Sequence, residues 1–147
     1  MIETPASSET APAPRTLSAT RQRFDVAYGY LLGVFVIAVL VQIYLAGVGA
    51  FGSKKPSSGA FNPHEDLGHY LGIAAVVLFV LALVARESKY TVIGALVLAL
   101  LTEVAQEGLA QGGHSDKWVG GLHAFDAALI LGVAIRLFYL WRRRQMA

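Results

Sequence analysis

Four long blocks of apolar residues, separated by short polar segments, dominate the chain. The blocks cover residues 26–51, 66–85, 90–110 and 118–141. The second block carries no charge from Leu67 to Ala85. At a rise of about 1.5 Å per residue, such a helix is just long enough to cross a hydrocarbon core of roughly 30 Å. We therefore predict an all-α integral membrane protein, a four-helix bundle in which the helices pair as two hairpins.

Polar and positively charged residues at the ends of the blocks predict how the chain crosses the membrane. Residues 1–22 are rich in Pro, Ala, Ser and Thr and predict a disordered tail, which leaves residues 23–144 for the bundle. Of the 12 Lys and Arg residues, nine fall on the side of the two termini and three on the other side. Because positive residues favour the cytoplasmic side, both termini are predicted to be cytoplasmic, with the protein in a bacterial plasma membrane.

Composition narrows the chemistry that the chain can perform. It is 55% hydrophobic, with a mean hydropathy of +0.54 and a pI near 9.0. The arginines cluster at the ends of the apolar blocks, so this basic balance does not indicate a nucleic-acid partner. The chain has no cysteine, which excludes disulfides, thiolate metal sites, iron–sulfur clusters and covalently attached c-type haem. No phosphate-binding loop or nucleophile elbow is present, and no pattern indicates an enzyme.

Two histidines and two acids stand together at the start of the second apolar block, in the stretch PHEDLGHYLG. Ionisable residues in membrane segments are rare and usually functional. His64, Gly68 and Gly72 are spaced by four residues and therefore share one face of a helix. His69 points about 140° away from His64 on the same helix, because a turn takes 3.6 residues. The helix thus presents a histidine above a stripe of glycine.

A short pattern occurs twice and relates the two hairpins. The first and third blocks contain Gln42 and Gln106, each in the pattern Q-x-x-L-A. The blocks that follow contain His64 and His123, each with a small residue four positions later. The repeated order of glutamine, loop and histidine predicts two hairpins related by a pseudo-twofold axis. The two histidines would then face each other across that axis.

Paired histidines next to small residues predict a haem site. Two imidazoles from different helices, one on each side of the ring, are the usual ligands of a b-type haem in a helical bundle. Small residues let a planar porphyrin approach the helix backbone. We therefore predict haem b held by His64 and His123, with His69 as the alternative to His64. Another metal, a quinone contact or a structural role stays open for the two histidines. The predicted cofactor contacts are Gly68, Gly72, Gln42, Gln106 and Ala127.

Three carboxylates fall within the apolar blocks, namely Glu103, Glu107 and Asp126. A carboxylate costs a few kcal/mol at the middle of a bilayer, about 3 by insertion scales, so these side chains are predicted to face the interior of the bundle. Asp126 or Glu103 is a candidate acceptor for the second N–H group of a ligand imidazole. Alternatively, the three carboxylates carry protons.

The chain resembles one four-helix half of the haem A synthase family over roughly residues 26–141. It also resembles a small four-span bacterial membrane protein family of unknown function. The motifs are Q-x-x-L-A-G in the first block, His64-Glu65-Asp66-Leu67-Gly68 in the second, Gln106 in the third and Leu122-His123-Ala124 in the fourth. The resemblance to the synthases implies a bundle whose second and fourth helices each offer a histidine to a haem.

The chain departs from the synthase pattern at two places. Phe61, Asn62 and Pro63 stand where the family has its catalytic glutamate, and the outer-loop cysteine pair of many members is absent. The resemblance therefore implies a bundle that holds haem, without synthase activity.

Three functions remain open on the sequence. The first is haem binding for electron transfer, haem handling or assembly of a respiratory complex, with a respiratory or haem-handling membrane protein as partner. The second is a non-catalytic scaffold or accessory subunit, whose small-residue stripes pack against a partner. The third is a proton-coupled carrier that uses the intramembrane carboxylates. Four spans are few for a carrier, so the third function requires a homo-oligomer.

Overall fold

The structure is a computed structural model that describes residues 18–52 and 59–146. All regular secondary structure in these residues is helical. The elements are α1 (Ala19–Phe51), α2 (Asn62–Val84), α3 (Lys89–Leu100), a π-helical segment (Leu101–Ala105), α4 (Gln106–Gly113) and α5 (Lys117–Gln145).

Four long helices result, because α3, the π-helical segment and α4 follow one another without a break. Each of these four helices in the described residues is long and apolar enough to cross a membrane. The prediction of an all-α, four-span membrane protein is confirmed. The side of the membrane on which the termini lie stays a prediction.

The helices extend beyond the apolar blocks at both ends of the chain. Helix α1 begins at Ala19, ahead of the predicted start at residue 26, and α5 continues to Gln145, past the predicted end at residue 141. Arginines form the added turns, and a helix can continue into the polar layer beyond the hydrocarbon. An apolar block therefore marks the part of a helix in hydrocarbon rather than the whole helix. Of the predicted tail, residues 1–17 lie outside the described residues.

Aromatic, leucine and alanine side chains fill the centre of the bundle. The largest fully buried side chains are Tyr28, Phe35, Leu32, Leu78 and Leu98. Buried alanines, among them Ala75, Ala95 and Ala134, let the helices approach closely. Large apolar side chains such as Tyr30 and Ile37 face outward, where a bilayer would cover them. Polar groups are consequently confined to the two ends of the bundle.

The start of α1, the α2–α3 turn and the end of α5 lie together, and we call this the terminal end. Here the indole Nε1 of Trp141 donates a hydrogen bond to the main-chain oxygen of Asp25 at 3.1 Å. The guanidinium of Arg144 pairs with Asp25 at 3.6 Å and with Glu87. The side chain of Glu87 is only 3% exposed. One arginine thus joins α5 to α1 and to the α2–α3 turn.

Glu87 makes the stability of the terminal end dependent on pH. Burial raises the pKa of Glu87, against the opposing effect of the hydrogen bond from Arg144. A raised pKa means that the folded protein holds the proton more tightly than the unfolded chain does. This contribution to stability is therefore complete below the unfolded pKa, about 4.3, and is lost as the pH rises through the folded-state value.

We expect the Tm of the wild type, relative to that of Glu87→Gln, to fall as the pH rises above about 4.3, the pKa of this side chain in the unfolded chain. Thermal unfolding in detergent at a series of pH values measures the difference, with Asp66→Asn as the exposed control. A difference that does not vary with pH would contradict the assignment.

Candidate functional site

A cavity of about 660 Å³ lies between the helices at the end opposite the terminal end, which we call the cavity end. All of the predicted site residues except Asp126 line it. They are Gln42, His64, Gly68, His69, Gly72, Glu103, Gln106, Glu107, His123 and Ala127. Residues that are far apart in the sequence are therefore brought to one cavity.

His64 and His123 face each other, as the repeat predicts. Their ring centroids are 6.2 Å apart and their planes make an angle of 70°. Two imidazoles bonded to opposite sides of one metal ion have centroids about 6 Å apart, since each bond is about 2 Å long and the ring centre lies about 1 Å beyond the nitrogen. The observed separation is compatible with ligation of one metal ion from two sides.

The main chain of a glutamine orients each imidazole. His64 Nδ1 donates to the main-chain oxygen of Gln42 at 3.1 Å, and His123 Nδ1 donates to that of Gln106 at 3.2 Å. Such a bond places the ring proton of a neutral imidazole on Nδ1 and leaves a lone pair on Nε2, which at His64 lies 3.5 Å from the amide nitrogen of Gln42. The same arrangement occurs in both hairpins. The acceptor of the second N–H group is thus a carbonyl group, not Asp126 or Glu103 as expected from the sequence.

The side-chain amides of the two glutamines have different partners. Gln42 Nε2 donates to the main-chain oxygen of His64 at 2.8 Å, and Gln42 Oε1 is buried with no hydrogen-bond partner within residues 18–52 and 59–146. The side-chain amide of Gln106 is oriented so that its nitrogen donates to the main-chain oxygen of His123 at 3.3 Å and to Asp126 Oδ2 at 2.7 Å. In this orientation Gln106 Oε1 faces His123 Nε2, and these two atoms form a hydrogen bond only when that nitrogen carries a proton in addition to the one on Nδ1.

Polar side chains cover the glycine stripe below His64. A Cβ atom added to Gly68 would lie 3.0 Å from Gln42 Nε2, and one added to Gly72 would overlap the carboxylate of Glu103. The two glycines accommodate side chains from α1 and from the π-helical segment, rather than leaving the bare wall expected from the sequence. A planar group can reach Gly72 only when Glu103 has moved aside.

The other predicted residues lie at the margin of the cavity. His69 is exposed, and its ring lies 6.1 Å from that of Tyr70. Glu107 Oε1 accepts a hydrogen bond from Gln111 at 2.8 Å. In the part of the chain that the structure describes, no group of three or more His, Asp or Glu side chains forms a metal site.

Three features of the cavity are absent from the sequence interpretation. His114, in the turn after α4, lines the cavity, and its Nδ1 donates to the main-chain oxygen of Ala110 at 2.9 Å. Glu65 and Thr102 also line it. The π-helical segment carries Glu103, and such segments often occur at functional sites. The four-residue spacing of Glu103 and Glu107 does not predict this segment, because the same spacing occurs in α-helices and in π-helices.

Fold and cavity define a small multi-pass membrane protein with a histidine-lined cavity between its helices. The profile of a family of unknown function (DUF6220) matches residues 42–106. This stretch begins at Gln42 and ends at Gln106, so it includes His64 but not His123. No curated protein and no solved structure matches the chain. The matched family agrees with the resemblance to a small four-span family of unknown function, and the resemblance to the haem A synthases finds no support in these comparisons.

Proposed function

We propose that this protein binds one b-type haem in the cavity through His64 and His123. The observation that carries the proposal is the pair of imidazoles, 6.2 Å apart, each with its Nδ1 proton donated to a glutamine carbonyl. Neutral imidazoles in this tautomer are suited to ligate haem iron. The cavity volume of about 660 Å³ also falls in the range of cofactor sites, about 300–1,000 Å³.

The buried groups around the imidazoles also fit this cofactor. Gln42 Oε1 is buried and lacks a hydrogen-bond partner in the described residues, as expected next to a site that is completed by a ligand. Helix α2 itself contributes no side chain at Gly68 and Gly72, and haem would reach this stretch once the side chains of Gln42 and Glu103 turn away from it. Glu103 carries no hydrogen bond that would hold it over Gly72 in the described residues.

Bound haem would supply one-electron chemistry through its iron. The protein would hold the iron from two sides with His64 and His123, and the carbonyl groups of Gln42 and Gln106 would keep both rings in the ligating orientation. The apolar walls below would exclude water. Electron transfer, haem handling or assembly of a respiratory complex in a bacterial plasma membrane would follow, with a respiratory or haem-handling membrane protein as the partner.

Titration of haemin into the purified protein tests the assignment. We expect one haemin per chain, and after reduction the sharpened α band of bis-histidine ligation. His64→Ala and His123→Ala should each abolish this spectrum, because each removes one of the two imidazoles that would hold the iron. His69→Ala and His114→Ala are matched controls within the same cavity and should retain it.

Each outcome assigns or removes a ligand. A bis-histidine spectrum that survives in His64→Ala but disappears in His69→Ala would replace His64 by His69. A wild-type protein that takes up no haemin would overturn the proposed function and favour the non-catalytic scaffold.

A further inference from the structure

We propose that the two histidines would bind haem unequally. Asp126, acting through Gln106, keeps His123 in place as the permanent ligand, and His64 is the ligand that can be exchanged. The coordination position released by His64 would then accept a small neutral ligand such as carbon monoxide or free imidazole. This inference rests on the proposed haem site and adds which of its two ligands is exchangeable. Three differences between the hairpins carry it.

The first difference lies three residues after each histidine. Asp126 occupies this position in the second hairpin, and Leu67 occupies it in the first. Asp126 is only 4% exposed, and its Oδ2 accepts the amide proton of Gln106 at 2.7 Å. The main-chain oxygen of Gln106 accepts a hydrogen bond from His123 Nδ1 at 3.2 Å. Asp126 therefore restrains the side chain of the residue whose main chain orients His123, and Leu67 has no polar group with which to restrain Gln42.

The second difference is the state of the two glutamine side chains. The amide nitrogen of Gln106 donates to two groups of α5, the main-chain oxygen of His123 and the carboxylate of Asp126. The amide nitrogen of Gln42 donates to the main-chain oxygen of His64 at 2.8 Å and lies 3.5 Å from His64 Nε2, so it hydrogen-bonds to no residue of α2 other than His64, and Gln42 Oε1 is buried without a partner in the described residues. A buried polar atom without a partner favours any rearrangement that supplies one. The hydrogen bonds around His64 are consequently easier to reorganise than those around His123.

The third difference is the position of each histidine in its helix. His64 lies in the first turn of α2, and the residue before this helix, Phe61, makes no side-chain hydrogen bond to cap it in the described structure. His123 lies beyond the first turn of α5, which Asp116 caps by accepting a hydrogen bond from Trp118 N at 2.7 Å. Uncapped helix ends open more readily than capped ones. The backbone that carries His64 is therefore the less firmly held of the two.

Haemin binding and coordination state in four variants test the inference. His64→Ala should keep haemin bound in a five-coordinate, high-spin form, whereas His123→Ala should lose it. Asp126→Leu, which copies the residue of the first hairpin, should weaken haemin binding by about tenfold, the lower end of the effect of removing a group bonded directly to a ligand, because Asp126 acts one residue further out. Asp126→Asn should stay near the wild type, because its amide oxygen can still accept from Gln106. Carbon monoxide should bind to the reduced wild type.

Equal loss of haemin from His64→Ala and His123→Ala would leave the proposed haem site standing and overturn the inequality. If the wild type binds no haemin, the proposed function fails, and ¹⁵N NMR of the histidine rings in the ligand-free protein decides the role of Asp126. Asp126→Leu should then reduce the fraction of His123 protonated at Nδ1 and leave His64 unchanged. Equal changes at both rings, or none at His123, would overturn the positioning role.

Discussion

Gly29→Ala is expected to prevent the terminal end of the bundle from closing. Gly29 is buried in α1, and a Cβ atom there would overlap the indole ring of Trp141. The ring cannot easily move away, because it stacks on Phe138 at 5.8 Å and donates its Nε1 proton to Asp25 at 3.1 Å. Overpacking of a core usually costs about 1–3 kcal/mol. We expect a loss of at least about 3 kcal/mol here, since a hydrogen bond would be lost as well.

Unfolding in detergent, followed by circular dichroism, measures this loss. Gly132→Ala on α5 is the matched control, because nothing lies within 4 Å of a Cβ atom there. That substitution should leave the stability unchanged or raise it slightly, by up to about 1 kcal/mol, because alanine favours a helix over glycine. In the double variant Gly29→Ala, Trp141→Ala, the two losses should be far from additive. Equal stability of Gly29→Ala and Gly132→Ala would show that Trp141 does not pack on Gly29.

Gly72→Leu is expected to fill the cavity without unfolding the protein. A Cβ atom at Gly72 meets the carboxylate of Glu103, which is the far end of a flexible side chain and can swing aside. The remainder of the leucine side chain would then occupy the space below His64. We expect haemin affinity to fall by about 100-fold or more, equivalent to roughly 2.7 kcal/mol, while both histidines remain in place.

The same haemin titration measures this effect, and thermal unfolding shows that the fold is retained. Gly108→Leu is the control, since a Cβ atom at Gly108 has nothing within 4 Å. Undiminished haemin binding in Gly72→Leu would mean that the ligand does not occupy the space between α2 and Glu103.

The sequence was sufficient to predict the four spans, because the length of an apolar block is set by the thickness of a bilayer. The pairing of His64 with His123 was also predictable, since a repeated order of glutamine and histidine implies two related hairpins. The ring separation of 6.2 Å adds a distance to that prediction. Such repeats are informative even when they are short, because they relate residues that are far apart in the chain.

The polar contacts inside the cavity were not predictable in the same way. Which group accepts the Nδ1 proton of a histidine depends on how deeply one helix is inserted beside another, and hydropathy does not determine this. In the structure the main-chain oxygens of Gln42 and Gln106 accept these protons. Asp126 instead accepts a hydrogen bond from the side-chain amide of Gln106. The π-helical segment also shifts Glu103 onto Gly72, a contact that four-residue spacing alone does not reveal.

The most direct test of haem binding through His64 and His123 is the absorption spectrum of the protein purified from membranes of cells grown with ample haem. The spectrum should be recorded in the oxidised state and after reduction with dithionite. The account predicts a Soret band and a sharp reduced α band in the wild type, and the loss of this bis-histidine spectrum in both His64→Ala and His123→Ala. A featureless wild-type spectrum, or an unchanged one in both variants, would contradict it.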